Sequence, residues 1–222
     1  MPRTARAAMG GGIYHVFNRG RNGKTLFRSS EDFQAFVELL IEGTSQASVE
    51  VFGFCLMPNY WHMILRPHGK TDLPKYMSWV ANTHVKRYRA RYPRSKGRVY
   101  QGRYESLPVQ KGGDFIHLVA YIEAIPLRAR LVQRAEDWAF SSLGCEQKSA
   151  RQLLGAWPVD RPQRWKKSVN KPLDKSVRDR LELSLQRARP LGDDYWSARI
   201  AKKTNTEHKL RPIGRPLKKR AG

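Results

Sequence analysis

The run Met57-Pro58-Asn59-Tyr60-Trp61-His62 holds the first side chains suited to chemistry. On a strand, residues two apart face the same side, so Tyr60 and His62 project together while Trp61 packs on the other face. Two histidines at these places would form a natural pair of metal ligands. With tyrosine in the first, a lone His62 reads first as a structural histidine. Tyr121 is the second such residue. It is offset from the apolar Phe115, Val119 and Ile122 on a helix that Gly113-Asp114 opens. A tyrosine hydroxyl can attack a phosphodiester and form a covalent protein–DNA link when a metal or general base assists. Taken alone, the plainer reading of Tyr121 is a packed amphipathic side chain.

The densest basic segment runs from Lys86 to Tyr104 and includes Arg87, Arg89 and Arg91. It carries Tyr88, Tyr92, Tyr100 and Tyr104 and no acid. Guanidinium forks suit phosphate oxygens, and tyrosine rings can stack on unpaired bases, so the mixture suits single-stranded or distorted DNA. The alternative is a solvated helix end and loop. Near the end of the chain, Gly214-Arg215-Pro216 lies among basic residues. Arg215 could sit in a narrow minor groove, or the tail could only raise affinity.

The whole chain has 222 residues, 42 Lys and Arg against 19 acids, and a formal net charge of +23. That excess repels itself in a compact fold and calls for a polyanionic partner, nucleic acid ahead of an anionic membrane surface. Hydrophobic residues make up 40% of the chain, enough for one real core. Cys55 and Cys145 form neither a disulfide framework nor a metal clip. No apolar run approaches the roughly 20 residues of a membrane span. No secretory h-region follows the basic N-terminus, so a cytoplasmic, nucleoid-associated protein is expected.

Several elements must position these residues. Ile13 to Phe17 reads as a strand ending at Asn18-Arg19-Gly20. Ser29 or Ser30 caps a helix with a Phe33, Phe36, Val37, Leu40 stripe. Val49 to Met57 and Trp61 to Leu65 read as two strands broken at Pro58-Asn59. A long helix starts at Thr71 or Asp72 and reaches Tyr88. Tyr104 to Val109 is a fourth strand, and the Gly113 helix is interrupted by Pro126. This order predicts an α+β fold, a ferredoxin-like split βαβ core with an antiparallel sheet and helices on one face. Residues 1–12 read as a flexible basic N-terminus, 13–149 as the core domain, and 150–222 as a basic, partly helical DNA-binding extension. One amphipathic helix is expected near Val177 to Ala188.

Together, four motifs resemble the REP-associated tyrosine transposases, relatives of the small HUH insertion-sequence transposases. They are Tyr14-His15-Val16-Phe17-Asn18-Arg19-Gly20, Cys55 to His62, Tyr100-Gln101-Gly102-Arg103-Tyr104, and Tyr121 to Ala129. The resemblance spans about Tyr14 to Gly144, and the Gly214-Arg215-Pro216 tail recurs in some members. It implies a core that binds single-stranded hairpin DNA from palindromic repeats and nicks and rejoins it using Mg²⁺ or Mn²⁺. It makes Tyr121 the nucleophile of a 5′-phosphotyrosine intermediate and His62 a metal ligand. Asn18, Arg19 and Gly20 are placed near DNA, with Gln101 and Arg103 assisting.

Two departures concern the metal. Tyr60 stands where the resemblance expects the first histidine, and Ile125 stands where it expects an asparagine ligand four residues after Tyr121. Arg130 replaces a usual glycine. With His62 left, and Glu123 or water as substitutes, metal affinity is expected to fall sharply and cleavage with it, leaving DNA binding. An RNA-binding module is the competing class. Related small transposases act as dimers and REP-associated members as monomers, so both states stay open.

Overall fold

The computed structural model describes residues 9–145 and 148–210. Four strands, β1 (Ile13–Arg19), β2 (Val49–Met57), β3 (Tyr60–Pro67) and β4 (Glu105–Val109), form one antiparallel sheet in the order β2-β3-β1-β4. With α1 (Ser30–Thr44) and α2 (Asp72–Arg91) as crossovers, this is the expected ferredoxin-like βαββαβ core. Asp32 reaches back from the first turn of α1 to the Ser29 and Arg28 amides, which fixes Ser29 as the cap. Phe33, Phe36, Val37 and Leu40 are all buried against Trp61, Tyr76 and Val80. Gly43 lets the two helices meet, because a Cβ there would lie 2.8 Å from the Tyr76 ring.

The helices α1 and α2 share one face of the sheet, as read from the sequence. The opposite face is covered too. There α3 (Gly113–Glu123) packs Phe115, Val119 and Ile122 over Phe52, Cys55, Ile64 and Leu107. The alternation along each strand is apolar on both faces, which requires helices on both.

Beyond residue 145 the sequence predicts one helix, and four α-helices are present among the described residues: α5 (Lys148–Leu153), α6 (Trp165–Val169), α7 (Lys175–Arg187) and α8 (Asp194–Lys203). Of these, α7 and α8 are long enough to show a stripe, and α8 was not read from the sequence. The α8 helix buries Ser197, Ile200 and Ala201, only one of them a large apolar side chain, and α6 buries only Trp165 and Val169, too few for a clear periodic signal. This segment also covers both sheet edges. Leu154 bridges β2 at Val51 and Leu191 bridges β4 at Val109, so backbone groups that would template another strand are occupied. Among the described residues no helix is long and apolar enough to cross a membrane.

Pro126 ends the helix that carries Tyr121. The chain restarts as a single turn, α4 (Ile125–Arg128), and Arg130 follows at φ 57°. A side chain in that left-handed region costs about 1 kcal/mol that glycine avoids, partly offset by glycine's greater chain entropy. Arg130→Gly is therefore expected to raise stability by ~0.5 kcal/mol in urea melts. A lower melting midpoint would show that the Arg130 side chain contributes more than its backbone costs.

Candidate nucleic-acid interface and tyrosine site

The end of β1 is held open by its neighbours. Asn18 is buried; its Oδ1 accepts the Arg19 amide and its Nδ2 donates to the Gly102 carbonyl. Gly20 pairs with Tyr100 and donates its amide to the Asn59 carbonyl. A Cβ at Gly20 would lie 1.9 Å from the Lys24 carbonyl oxygen, so only glycine allows this turn. Gln101 donates its amide to the Arg19 carbonyl and accepts the Asn22 amide at 3.0 Å on its side-chain oxygen. The result is a groove of about 580 Å³ whose walls include Asn18, Arg19, Gly20, Gln101, Tyr60 and His62. It continues past Gln101 to Arg103, Arg187 and Lys209, and past Asn22 to Arg21, Lys24 and Arg98. The sequence-selected Asn18, Arg19, Gly20, Gln101 and Arg103 thus come together.

Arg87 and Arg91 do not join them. Arg87 pairs with Glu42 at 2.7 Å, and Arg91 with Asp32 at 2.9 Å, both on α1 behind the sheet. Arg89 is exposed on the same helix. The tyrosines of that segment are mostly core. Tyr88, Tyr100 and Tyr104 are buried, and the Tyr100 hydroxyl joins His84 Nδ1 at 2.6 Å to the Trp61 indole. They offer no stacking faces to bases. Arg215 lies outside the described residues.

His62 faces the groove beside Tyr60, as the strand alternation requires, with ring centroids 5.5 Å apart. Its closest polar partner was not selected from the sequence. His15, fully buried on β1, lies with Nε2 2.9 Å from His62 Nδ1. The signal was available, since His15 and Phe17 alternate onto the face that carries His62. Burial, and for His62 also the Arg128 charge, keeps both imidazoles neutral, His62 at a pKa of about 3. His15 Nδ1 is buried without a partner. A buried orphan N–H is rarer than an orphan acceptor, so the proton between the rings is assigned to His15 Nε2. His62 then carries its own proton on Nε2.

These residues do not fit a divalent metal. The assigned tautomer leaves His62 no free lone pair, and Tyr60 is a phenol that burial pushes above its usual range. Ile125 is buried among apolar side chains. Glu123, a possible substitute donor on sequence grounds, is fully engaged: its carboxylate accepts Ser142 Oγ at 2.6 Å and the Trp165 indole N–H at 2.7 Å. Among the described residues no three His, Cys, Asp or Glu side chains are grouped to hold a metal ion.

Tyr121 is half-buried in a neighbouring hollow of about 300 Å³, with Arg128, Leu173 and Arg178 among its walls. The Arg128 guanidinium lies 3.9 Å from the Tyr121 ring centre, and its Nη1 donates to the Tyr121 carbonyl that the broken helix leaves free. Burial raises the phenol's pKa above 10, and Arg128 opposes that shift. The carboxylate of Glu182 on α7 pushes in the same direction as burial.

One solved structure shares this architecture. A tyrosine transposase associated with REP elements, solved bound to a REP hairpin, shares the fold with a TM-score of 0.54. The two are 20% identical over 79% of this chain and all of the other. A putative transposase from Deinococcus radiodurans R1 aligns at 16% identity over 59% of this chain and 93% of the other, with a TM-score of 0.39. No curated protein matches significantly. Residues 9–124, just over half of the chain and the stretch that builds both the groove and the Tyr121 helix, match the family of IS200-like transposases. This chain belongs to that family.

Proposed function

We propose that this protein binds hairpin-forming single-stranded DNA in the groove at the end of β1, and that its Tyr121-dependent cleavage is impaired. The groove carries the reading: Arg19 and Arg103 supply charge, the rigid Asn18-Arg19-Gly20 turn supplies shape, and the His62 Nε2–H is a neutral donor for a phosphate oxygen. The cleavage in question joins Tyr121 Oη to phosphorus and breaks the bond to the neighbouring 3′-oxygen. The phenol proton passes to solvent, and the departing 3′-oxygen takes one up. In this chain the phenol has a raised pKa, and Arg128 is the cation packed against its ring. Without a metal, the attacking and leaving oxygens lack the charge stabilisation such transfers use.

The test is a labelled hairpin DNA with a single-stranded flank, incubated in Mn²⁺ with the native chain, Tyr121→Phe and Arg19→Glu. Native and Tyr121→Phe chains are expected to bind alike, with little or no covalent band on a denaturing gel. Arg19→Glu is expected to lose about tenfold in affinity, since it reverses a charge beside phosphate. Binding that ignores Arg19→Glu would refute the groove. A strong covalent band that vanishes in Tyr121→Phe would refute the impairment.

A further inference from the structure

A second basic hollow, of about 1040 Å³, lies between the loops after α4 and the α5–α6 region. Its cationic walls are Arg134, Arg151, Arg161, Arg164, Lys166 and Lys167, and Glu136 is its acid. That acid is already occupied by Arg134 and by Asn170, whose Nδ2 donates at 2.6 Å. Arg161 lies over the rings of Trp157 and Trp165, at 4.8 and 5.6 Å. Arg151, Arg164, Lys166 and Lys167 are exposed and have no acidic partner among the described residues. Four unneutralised cations around one concavity repel one another, a cost that a bound polyanion reverses. Arg164 also sits at φ 57°, a left-handed strain with no packing return for an exposed side chain.

The position of the hollow indicates its occupant. Leu127 and Asn170 line both this hollow and the one that holds Tyr121. We infer that the basic hollow binds the phosphates of the single DNA strand continuing from the phosphate presented to Tyr121. This assignment rests on the chain being a DNA binder and adds a second, separate contact made by its C-terminal helices. Its walls belong to neither the β1 groove nor the sheet. Lysines and arginines on exposed loops and a short helix suit a flexible backbone better than base edges.

The experiment measures fluorescence anisotropy of the full chain and of the triple variant Arg164→Gln, Lys166→Gln, Lys167→Gln. The DNAs are a bare hairpin and the same hairpin with a single-stranded flank of about 10 nucleotides, a typical single-strand site size, placed at each end in turn. Salt is varied from ~50 to ~200 mM. The native chain is expected to bind one flanked DNA about tenfold tighter than the bare hairpin. The variant is expected to lose that advantage, and its log–log salt slope on that DNA to flatten by about 2, from three single-strand phosphate contacts at ~0.7 each. Affinity for the bare hairpin should not change.

If native protein gains from a flank and the variant keeps that gain and the native slope, the hollow is not the strand's path. Equal losses on both DNAs would place the stem there instead and overturn the assignment. A native chain that binds none of the DNAs overturns DNA binding itself. The three substituted side chains are exposed and support no core packing; if the variant's circular dichroism nevertheless changes, Arg151→Gln on α5 provides the same comparison with a slope change of about 0.7.

Discussion

The double variant Tyr60→His, Ile125→Asn is expected to bind Mn²⁺ about 100-fold more tightly than the native chain, and to gain Mn²⁺-dependent nicking that Tyr121→Phe abolishes. The magnitude follows from coordination. Removing a single outer-shell partner costs about 10–100-fold in metal affinity, so restoring two direct donors should regain at least the upper figure. The imidazole that Tyr60→His introduces would project beside His62 on β3, in the space of the larger phenol. The gain has two opposing terms. Ligation requires the His62 Nε2 lone pair, so its proton must move to Nδ1 and be donated to His15. His15 would then hold a buried, partnerless Nδ1–H, at a cost on the order of 1–3 kcal/mol.

The second term concerns Ile125. Because the helix stops at Glu123, Ile125 begins a new turn rather than sharing a helical face with Tyr121. Its side chain is buried in the apolar cluster, so an asparagine there without metal should cost about 1–3 kcal/mol. Tyr60→His alone is therefore expected to deliver most of the gain. Ile125→Asn alone should melt earlier with or without Mn²⁺, whereas the double variant should recover part of that loss when Mn²⁺ is added, by mass action on the folded state. Isothermal titration with Mn²⁺ and the hairpin cleavage gel decide the matter. A folded double variant with native metal affinity would mean that the altered ligands are not what disables this site.

The βαββαβ order was legible because α1 carries a helical period, because β2 and β3 read as short apolar runs rich in β-branched and aromatic residues, and because Pro58-Asn59 and Pro126 break the chain where the residue types demand it. The groove was legible as well. Gln101 lies far in sequence from the consecutive Asn18, Arg19 and Gly20, yet the resemblance places them together and the Arg19–Gln101 and Asn18–Gly102 bonds join the two segments. What stayed hidden depends on tertiary neighbours. Arg87 and Arg91 look like free DNA contacts until α1 brings Glu42 and Asp32 across from them. Tyr100 looks like a stacking ring until His84 and Trp61 enclose its hydroxyl. His15 lies 47 positions from the His62 ring it touches. Charge density along a sequence does not say which cations are already paired, so the basic hollow, built from residues between 127 and 170, is invisible until the chain is folded.

Glu123→Ala is expected to cost about 3 kcal/mol of folding stability, whereas Glu123→Gln should remain within ~1 kcal/mol of the native chain. The carboxylate is 1% exposed and ties α3, two residues past Tyr121, to α6 through Trp165 and to β2 through Ser142. Alanine leaves a cavity and an orphaned indole N–H. The Ser142 hydroxyl fares better, since it can turn to the Phe54 carbonyl at 3.3 Å. Glutamine preserves both contacts: its oxygen accepts from Trp165, and its amide donates to a Ser142 hydroxyl turned toward Phe54. It also removes a buried charge. Burial raises the Glu123 pKa above 4.5, against its hydrogen bonds and the Arg161 charge, so the folded state takes up the proton more readily than the unfolded one. Its stabilising contribution is complete below the unfolded pKa and is lost as pH rises through the folded one. The native chain should therefore gain stability relative to Glu123→Gln as pH falls toward 4.5, a difference that paired urea melts across that range would reveal. Glutamine as damaging as alanine would show that the charge itself, through Arg161, holds the C-terminal helices to the Tyr121 helix.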